Sequence, residues 1–225
     1  MSAAVEQVEG VTIRPLVGLA RTAARRMVKA WEAPVFHLSM DVDMTAALAA
    51  KGDGITVSDL LVRCCTLALK QHPAVNAHYG DETVTVFDDV NVGLAVATDA
   101  GLMVPVIQRA HDLDVEGVAA ARRDLVARCH GGALKMADVS GGTFTVSNLG
   151  MLGVDAFDAI LNVPQVAILA VGSTRPQPFL LDGETGWRPT ARLTLTCDHR
   201  ALDGATGARF LGTLRTLLER VTVVR

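Results

Sequence analysis

The run CDHRALDG at residues 197–204 carries more information than any other stretch of this chain. It follows an alternating run at 192–196, which predicts a β-strand, and it precedes residues 205–220, which predict an α-helix. A histidine at such a junction is held by a rigid strand and can face a cleft. The placement of His199 therefore suits a group that transfers protons.

Three interpretations of His199 and Asp203 stay open on this pattern alone. The pair belongs to a catalytic site, or the two side chains satisfy each other and only stabilise the turn. As a third option, they are two ligands of a metal ion. The metal interpretation is weak, because no further His or Cys stands at ligand spacing nearby. Other parts of the chain have to decide.

The pattern His-x-x-x-Asp-Gly is shared by a superfamily of CoA-dependent acyltransferases, and four more blocks resemble one branch of it closely. That branch is the catalytic domain of the dihydrolipoamide acyltransferase (E2) subunit of 2-oxo acid dehydrogenase complexes. The blocks are RPL with RTAA at 14–16 and 21–24, NVGLAVAT with GL and VPVI at 91–98, 101–102 and 104–107, GGTFTVSNLG at 141–150, and NVPQVAILAVG at 162–172. The resemblance extends from about residue 11 to residue 218.

The resemblance implies the chloramphenicol-acetyltransferase-like fold, a mixed sheet flanked by helices that assembles as a trimer with active sites between subunits. The hydropathy pattern by itself predicts only α/β or α+β layering, because helices and strands alternate irregularly. It predicts helices at 16–31, 58–71 with Ser58 as the N-cap, 115–129 and 204–220, and a short helix near 155–161.

Acyl transfer from a thioester needs a base, a donor that stabilises the oxyanion, and alignment of both substrates. A neutral imidazole suits the first task, so His199 is predicted to be the general base. The match to the family's serine makes Ser147 the candidate oxyanion donor, with a strand-end cap or a nucleophile as alternatives. The nucleophile role is disfavoured, because residues 146–150 lack a Gly-x-Ser-x-Gly elbow. Asn148 is the second choice as the donor.

The resemblance implies a structural role for Asp203, which pairs with an arginine and orders the histidine loop. Arg21 occupies the matching place in the first helix, and Arg200 is the alternative partner. Gly204 is expected to allow a close approach of two backbone segments. Arg63 stands in the position of a helix residue near the family's CoA site, so it is our candidate for a contact to CoA.

The length of 225 residues suits one domain with a sizeable core. Half of the residues are hydrophobic and the mean hydropathy is +0.32, which predicts either a subunit interface or a large apolar interior. No apolar run approaches the ~20 residues of a membrane-spanning helix. The net charge of -3 and the pI near 6.0 provide no general basic field for nucleic acid. We therefore predict neither a membrane nor a nucleic acid as a partner.

We expect residues 1–10 to form a flexible N-terminal arm and residues 11–225 to form a single acyltransferase catalytic domain. The arm is acidic and lacks the apolar core of a signal peptide. The four cysteines are expected to be free thiols in a reducing, cytoplasmic setting. Cys64 and Cys65 suit small fillers of the core.

An E2 subunit normally also carries a lipoyl domain and a peripheral-subunit-binding domain, and we expect neither in this chain. Its lysines stand in no Asp-Lys-Ala context, so no covalent lipoyl group is expected. We therefore expect a free-standing enzyme that moves an acyl group, most simply acetyl, from a CoA or carrier thioester onto a small-molecule hydroxyl in a biosynthetic pathway. The alternative is the E2 core subunit of a 2-oxo acid dehydrogenase complex, which transfers acyl groups from S-acyl-dihydrolipoyl to CoA. A non-catalytic scaffold is a minor alternative, against which the intact His199 and Ser147 argue.

Both catalytic interpretations imply CoA or acyl-CoA as a co-substrate and no metal. The expected partners are a small-molecule acyl acceptor or donor and, in trans, an acyl carrier or a lipoyl domain. The resemblance implies a homotrimer, and a cubic 24-mer built from trimers is the larger option.

Overall fold

The computed structural model describes residues 6–8, 10–13, 15–52, 54–98, 101–181 and 183–221. Arg14, which belongs to the first motif block, lies outside these ranges, as do residues 1–5 of the predicted arm. Within the arm, residues 6–8 pair with residues 11–13 as a two-stranded antiparallel ribbon. Part of the segment predicted to be a flexible arm is therefore β-structure, because Gly10, with φ at +83°, turns the chain back on itself.

Five α-helices occur in the described residues: α1 (Gly18–Trp31), α2 (Thr45–Ala49), α3 (Val57–Gln71), α4 (Val115–His130) and α5 (Gly204–Glu219). The bounds predicted for the four long helices are confirmed within two residues at each end. The N-cap of α3 is Thr56 rather than Ser58, because Thr56 and Asp59 form a reciprocal capping box.

Thirteen strands occur in the same residues, and seven of them form one mixed sheet. The strands are β1 (Glu6–Val8), β2 (Val11–Ile13), β3 (Val35–Asp43), β4 (Ala77–Gly80), β5 (Thr83–Val86), β6 (Val92–Leu94), β7 (Val96–Thr98), β8 (Gly101–Met103), β9 (Val106–Ile107), β10 (Phe144–Asn148), β11 (Ala167–Val171), β12 (Arg175–Leu181) and β13 (Glu184–Asp198).

The large sheet has the strand order β12-β13-β11-β10-β6-β9, and β3 joins it by pairing with β13. Strand β10 lies parallel to β11 and to β6, whereas the other neighbours are antiparallel. Strand β13 pairs with β12 through its first half and with β3 and β11 through its second half. Strand β13 therefore runs from the edge of the sheet, where it pairs with β12, to the motif at 197–204.

Helices α3 and α5 pack on one face of this sheet. Phe144 of β10 meets Phe210 of α5 with ring centroids 5.7 Å apart, and both side chains are fully buried. Helix α5 lies so close to the sheet that a Cβ atom at Gly207 would come within 2.7 Å of Leu38. Burial of a Phe or Leu side chain contributes about 1.5–3 kcal/mol each, so this packing fixes α5 relative to β13.

Two connections differ from the sequence-based expectation. Residues 155–161 form an irregular segment instead of a short helix, because the Ser173 N–H donates to the Val154 carbonyl oxygen at 2.8 Å. Gly172 leaves room for the Asp155 carbonyl, which a Cβ atom there would overlap at 2.0 Å. Strands β12 and β13 form a hairpin whose first strand the sequence did not predict.

The described residues contain no helix that is long and apolar enough to cross a membrane. Their His, Cys, Asp and Glu side chains also form no group of three that could hold a metal ion. All four cysteines are buried free thiols. Burial raises the pKa of Cys64 and of Cys197 to about 12, so these thiols are unreactive at neutral pH.

Candidate active site

His199 stands on a tight turn between the last strand and the last helix. Strand β13 ends at Asp198, residues 199–201 form the turn, and α5 begins at Gly204. Leu202 is buried in the core and anchors the far side of the turn. Asp203 caps α5, since its side chain accepts a hydrogen bond from the first turn of the helix at 2.7 Å. Strand β13 thus ends where buried Leu202 and the helix cap Asp203 follow each other in the sequence.

Asp198, directly before the histidine, is buried and well supplied with hydrogen bonds. Its carboxylate accepts them from the Arg200 backbone N–H at 3.0 Å, from Arg200 Nε at 2.9 Å and from Arg200 Nη2 at 2.6 Å. Its carbonyl oxygen accepts two more, from the N–H groups of Ala201 and Leu202. Hydrogen bonding to the carboxylate raises the pKa of Arg200 above its ordinary value. This bidentate ion pair holds the turn in one geometry.

The side chain of His199 is exposed, in contrast to that of its neighbour. Its backbone N–H donates to the Pro34 carbonyl oxygen at 2.9 Å, and its ring packs on Phe36 with centroids 4.5 Å apart. Neither ring nitrogen has a hydrogen-bond partner in the part of the chain that the structure describes. A neutral imidazole placed in this way can accept a proton from an approaching S–H or O–H group.

The predicted pair of Asp203 with Arg21 is wrong for the chain as folded here. The hydrogen bonds with which Asp203 caps α5 hold the pKa of its carboxyl below the ordinary value. Arg21 Nε donates to the Leu16 carbonyl oxygen at 3.0 Å instead. Arg200, the alternative partner, binds Asp198. Asp203 therefore orders the turn as a helix cap and not as half of an ion pair.

Two further predicted residues lie apart from these contacts. Gly204 stands in open space, where a Cβ atom would meet nothing within 4 Å, so the predicted close backbone approach is wrong. The close approach in the first turn of α5 occurs at Gly207 instead, where a Cβ atom would come within 2.7 Å of Leu38. Arg63 lies on α3, and its Nε and Nη1 atoms are buried without a hydrogen-bond partner among the described residues. Buried donors without acceptors are rare, so Arg63 retains the capacity to bind an anion.

Ser147 lies near the end of β10 and is half-buried. Its hydroxyl makes no hydrogen bond within the described ranges, so it is available as a donor. Asn148 is already engaged, because its Oδ1 accepts from the Gly150 N–H at 2.9 Å and its Nδ2 donates to Ser58 Oγ at 3.2 Å. Of the two predicted donors, Ser147 is the available one, and Asn148 holds the turn that follows the strand.

Ser147 and His199 lie at opposite ends of the sheet. Ser147 pairs with Ala170 of β11, and Ala170 pairs with Thr194 of β13. Thr194 precedes His199 by five residues, which corresponds to roughly 17 Å along a strand, and two strand spacings add about 10 Å sideways. A single chain therefore does not bring the two predicted catalytic side chains together.

One partner of the histidine turn was missed in the sequence. The guanidinium of Arg200 lies over the ring of Tyr79, with its central carbon 4.0 Å from the ring centroid. Tyr79 belongs to β4, far from Arg200 in the sequence. The short spacing of Asp198 and Arg200 within one motif was a signal for their ion pair. No local pattern at residues 77–80 indicated the contact with the ring.

Comparison with known proteins finds one family. Residues 9–224 match the model of the 2-oxoacid dehydrogenases acyltransferase (catalytic domain). A relative from Schizosaccharomyces pombe, the dihydrolipoyllysine-residue acetyltransferase component of the mitochondrial pyruvate dehydrogenase complex, is 37% identical over 219 residues. The match covers 91% of this chain and 45% of that protein. The chain spans about half the length of the curated relatives it matches.

Solved structures agree with this result. The Azotobacter vinelandii dihydrolipoamide acetyltransferase superposes with a TM-score of 0.90 at 28% identity over 99% of both chains, and its study concerns a serine, a histidine and an asparagine in catalysis. The cubic core of the pyruvate dehydrogenase multienzyme complex gives a TM-score of 0.90 at 29% identity, again over 99% of both chains. Chloramphenicol acetyltransferase, at 12% identity and a TM-score of 0.56 over 86% of this chain, shares the fold alone. The predicted fold is thus confirmed.

Proposed function

We propose a function from the premise that this chain belongs to the 2-oxoacid dehydrogenase acyltransferase family, whose catalytic domain it matches. The chain transfers an acyl group, most simply acetyl, between the thiol of a dihydrolipoyl group on a lipoyl domain and the thiol of CoA. The observation that supports this proposal most is the exposed imidazole of His199, which has no hydrogen-bond partner among the described residues and stands on a turn fixed by the Arg200–Asp198 hydrogen bonds.

The chemistry requires one base and one oxyanion donor. His199 takes the proton from the CoA S–H as the sulfur attacks the thioester carbonyl carbon. The carbonyl oxygen then carries a negative charge, and the Ser147 hydroxyl donates a hydrogen bond to it. When the carbonyl re-forms, the bond to the dihydrolipoyl sulfur breaks, and the protonated His199 returns its proton to that sulfur. No acyl-enzyme is needed, because both thiols are present together.

A second copy of the chain completes the site in this proposal. The distance between Ser147 and His199 in one chain argues against a site within that chain. In a homotrimer, each His199 meets the Ser147 of the next chain, and the ring closes with three equivalent sites. A cubic 24-mer of such trimers is the larger option, and one structural relative is a cubic core.

Arg63 is the proposed contact to CoA. Two of its buried donor atoms, which have no partner within the described ranges, fit an anionic group, and CoA carries phosphates. The guanidinium would bind and orient the co-substrate, while the proton transfers stay with His199. The chemistry proposed here needs no metal ion.

The comparisons favour this function over the free-standing O-acyltransferase that was expected from the sequence. The relatives reported above are dihydrolipoyllysine-residue and dihydrolipoamide acetyltransferases. His199 can deprotonate an alcohol as well as a thiol, so the base alone does not separate the two functions. The scaffold alternative has no support from His199 or Ser147, both of which are available for chemistry.

Acetyl-CoA offered with free dihydrolipoamide tests the proposal, with release of CoA as the readout. We expect turnover with dihydrolipoamide and none with small alcohols at the same concentration. His199→Ala should lower kcat by about 10²–10⁴-fold, the range of general-base catalysis, and leave the oligomeric state unchanged. His130→Ala, which removes an exposed histidine at the end of α4, should leave kcat as in the wild type.

Each outcome has a distinct meaning. Turnover with alcohols but not with dihydrolipoamide would establish the O-acyltransferase function instead. A wild-type rate in the His199→Ala variant would reject His199 as the base. Absence of turnover with every acceptor would reject the acyltransferase function itself.

A further inference from the structure

Tyr79 supports the histidine turn from a distant part of the chain. Its ring is half-buried and lies 4.0 Å from the guanidinium carbon of Arg200. This cation–π arrangement is attractive, because the ring face carries negative charge density. Tyr79 is the chain's single tyrosine.

The ring and the turn are attached to the same segment of the sheet. The Tyr79 N–H donates to the Pro164 carbonyl oxygen at 2.8 Å, and the Asp198 N–H donates to the Val166 carbonyl oxygen at 2.9 Å. The residues before β11 therefore set the distance between the ring and the end of β13. This shared attachment makes Tyr79 a fixed platform.

Arg200 needs such a platform, because its side chain is 36% exposed and long. A free arginine loses rotamer entropy when it is held in one geometry. The ring of Tyr79 limits the guanidinium to one plane, and in that plane Nε and Nη2 both reach the Asp198 carboxylate. Without the ring, the buried carboxylate would lose donors whenever Arg200 moves into the solvent.

We propose that Tyr79 is a positioning residue for His199, acting through Arg200 and Asp198. The proposal rests on the proposed function, in which His199 is the base. Loss of the ring loosens the ion pair and hence the turn that carries the imidazole. Because proton transfer requires the base within hydrogen-bond reach of the thiol, the loosened turn slows the chemical step more than it weakens binding.

The test compares Tyr79→Leu with Tyr79→Phe in the assay with acetyl-CoA and dihydrolipoamide. We expect Tyr79→Leu to lower kcat on the order of tenfold to a hundredfold, the scale of effects from a base displaced by a fraction of an ångström, with KM for acetyl-CoA changed less than about twofold. Tyr79→Phe should keep kcat within about twofold of the wild type, because the ring and not the hydroxyl holds the guanidinium.

The matched control uses a second arginine–aromatic pair found in the described residues. Arg188 lies over the ring of Phe179 at 3.9 Å on the β12–β13 hairpin, and within the described residues no side-chain hydrogen bond, ion pair or ring contact joins either residue to the turn. Phe179→Leu removes the same kind of contact and should leave kcat and KM unchanged. A loss of kcat in both Leu variants would therefore point to general destabilisation and overturn the proposal.

Three results separate this proposal from the proposed function. If Tyr79→Leu keeps the wild-type kcat while His199→Ala is inactive, the positioning role is rejected and the base assignment stands. If His199→Ala stays active, the proposed function fails first. If Tyr79→Leu does not fold, Tyr79→Met provides the same test, since methionine fills much of the space of the ring and has no aromatic face. A wild-type kcat in Tyr79→Met rejects the positioning role, and a fall in kcat at constant KM supports it.

Discussion

Burial separates the tasks of two adjacent residues in the histidine turn. Asp198 is 1% exposed and receives its hydrogen bonds from the turn itself, whereas His199 is exposed and has both ring nitrogens unpaired within the described residues. The proposed base, His199, must be accessible to the substrate. The carboxylate of Asp198 must be buried, because water would compete for its hydrogen bonds. Placing these requirements on neighbouring residues gives the imidazole a rigid support without covering it.

The role of Ser147 can be tested by removing its hydroxyl. We expect Ser147→Ala to lower kcat by about 10²–10³-fold, equivalent to about 2.7–4 kcal/mol, because one oxyanion donor is lost while both substrates still bind. Steady-state kinetics with acetyl-CoA and dihydrolipoamide would measure the change. Ser140→Ala, which removes an exposed hydroxyl before the same strand, serves as the control. A fall in kcat of less than tenfold would exclude Ser147 as the main donor.

Single functional residues can be predicted from the sequence when they lie within a continuous motif. Contacts between residues that are distant in the sequence cannot be predicted in this way. His199 and Ser147 lie in blocks that can be read locally. The pairing of Arg21 with Asp203 was taken from the resemblance and is not formed, because each group is satisfied by its own helix terminus. Tyr79 could not be predicted at all, since its contact depends on how β4 meets the segment before β11.

Among the elements, α5 depends on a cap that titrates. In the folded protein, hydrogen bonds from the first turn of the helix lower the pKa of the Asp203 carboxyl below its ordinary value of 3.8. The ionised cap therefore contributes its full stability above the ordinary pKa, and this contribution is lost as the pH falls through the lower, folded-state pKa. Acid should weaken α5 and with it the turn that carries His199.

Asp203→Asn tests this linkage, because asparagine caps a helix without titrating. We expect similar Tm values for the wild type and the variant at pH 7. Below about pH 4 the wild-type Tm should fall more steeply, since only the aspartate is protonated there. Thermal unfolding followed by circular dichroism would measure both curves. Parallel curves down to pH 2 would show that the cap does not contribute to acid sensitivity.

A buried ion pair holds α3 and α4 together. Asp59 is fully buried and accepts hydrogen bonds from Thr56 of its own helix cap and from Arg122 Nε and Nη2 at 2.5 and 3.1 Å. Arg122→Met leaves this carboxylate partly unpaired and should lower the free energy of unfolding by about 3–5 kcal/mol. Urea unfolding measures the effect. Arg123→Met, at the exposed neighbouring position, should change it by roughly 0.5 kcal/mol or less, and equal effects of the two substitutions would contradict the assignment.

The elements follow the sequence where local pattern and packing agree. Helices α1, α3 and α5 have clear amphipathic periodicity, and α3, α4 and α5 each begin at a side-chain cap. Strand β12 was missed because Pro176 and Pro178 interrupt its pattern, yet proline is tolerated on an edge strand such as this one. The helix expected near 155–161 is absent because the backbone of this segment is held against Gly172 and Ser173. Both errors arise from tertiary contacts that override local propensity.

At the scale of the whole molecule, one chain holds two separated halves of a site. Ser147 and His199 lie on the order of 20 Å apart by strand register, so the proposed assembly has to combine them. This separation is the most direct structural reason to expect an obligate oligomer. The trimer was expected from the family resemblance, whereas no pattern in the sequence indicated the distance between Ser147 and His199 within one chain.

Mixing two inactive variants tests whether the halves come from different chains. His199→Ala and Ser147→Ala chains, unfolded together and refolded in equal amounts, should form rings in which about a quarter of the interfaces carry both native side chains. Activity should therefore return to about a quarter of the wild-type value. Each variant refolded alone is the control. If the mixture is no more active than the separate variants, both residues act within one chain or not together.

The opposite placement of Ser147 and His199 has a further consequence for the life of the chain. Attack by water on a thioester carbonyl builds up the same negative charge on oxygen as attack by a thiol, so hydrolysis also depends on the oxyanion donor. A newly made, unassembled chain presents its imidazole without the hydroxyl that completes the reaction. Under the proposed arrangement, neither hydrolysis nor transfer of the acyl group is catalysed by the complete site until three chains have assembled.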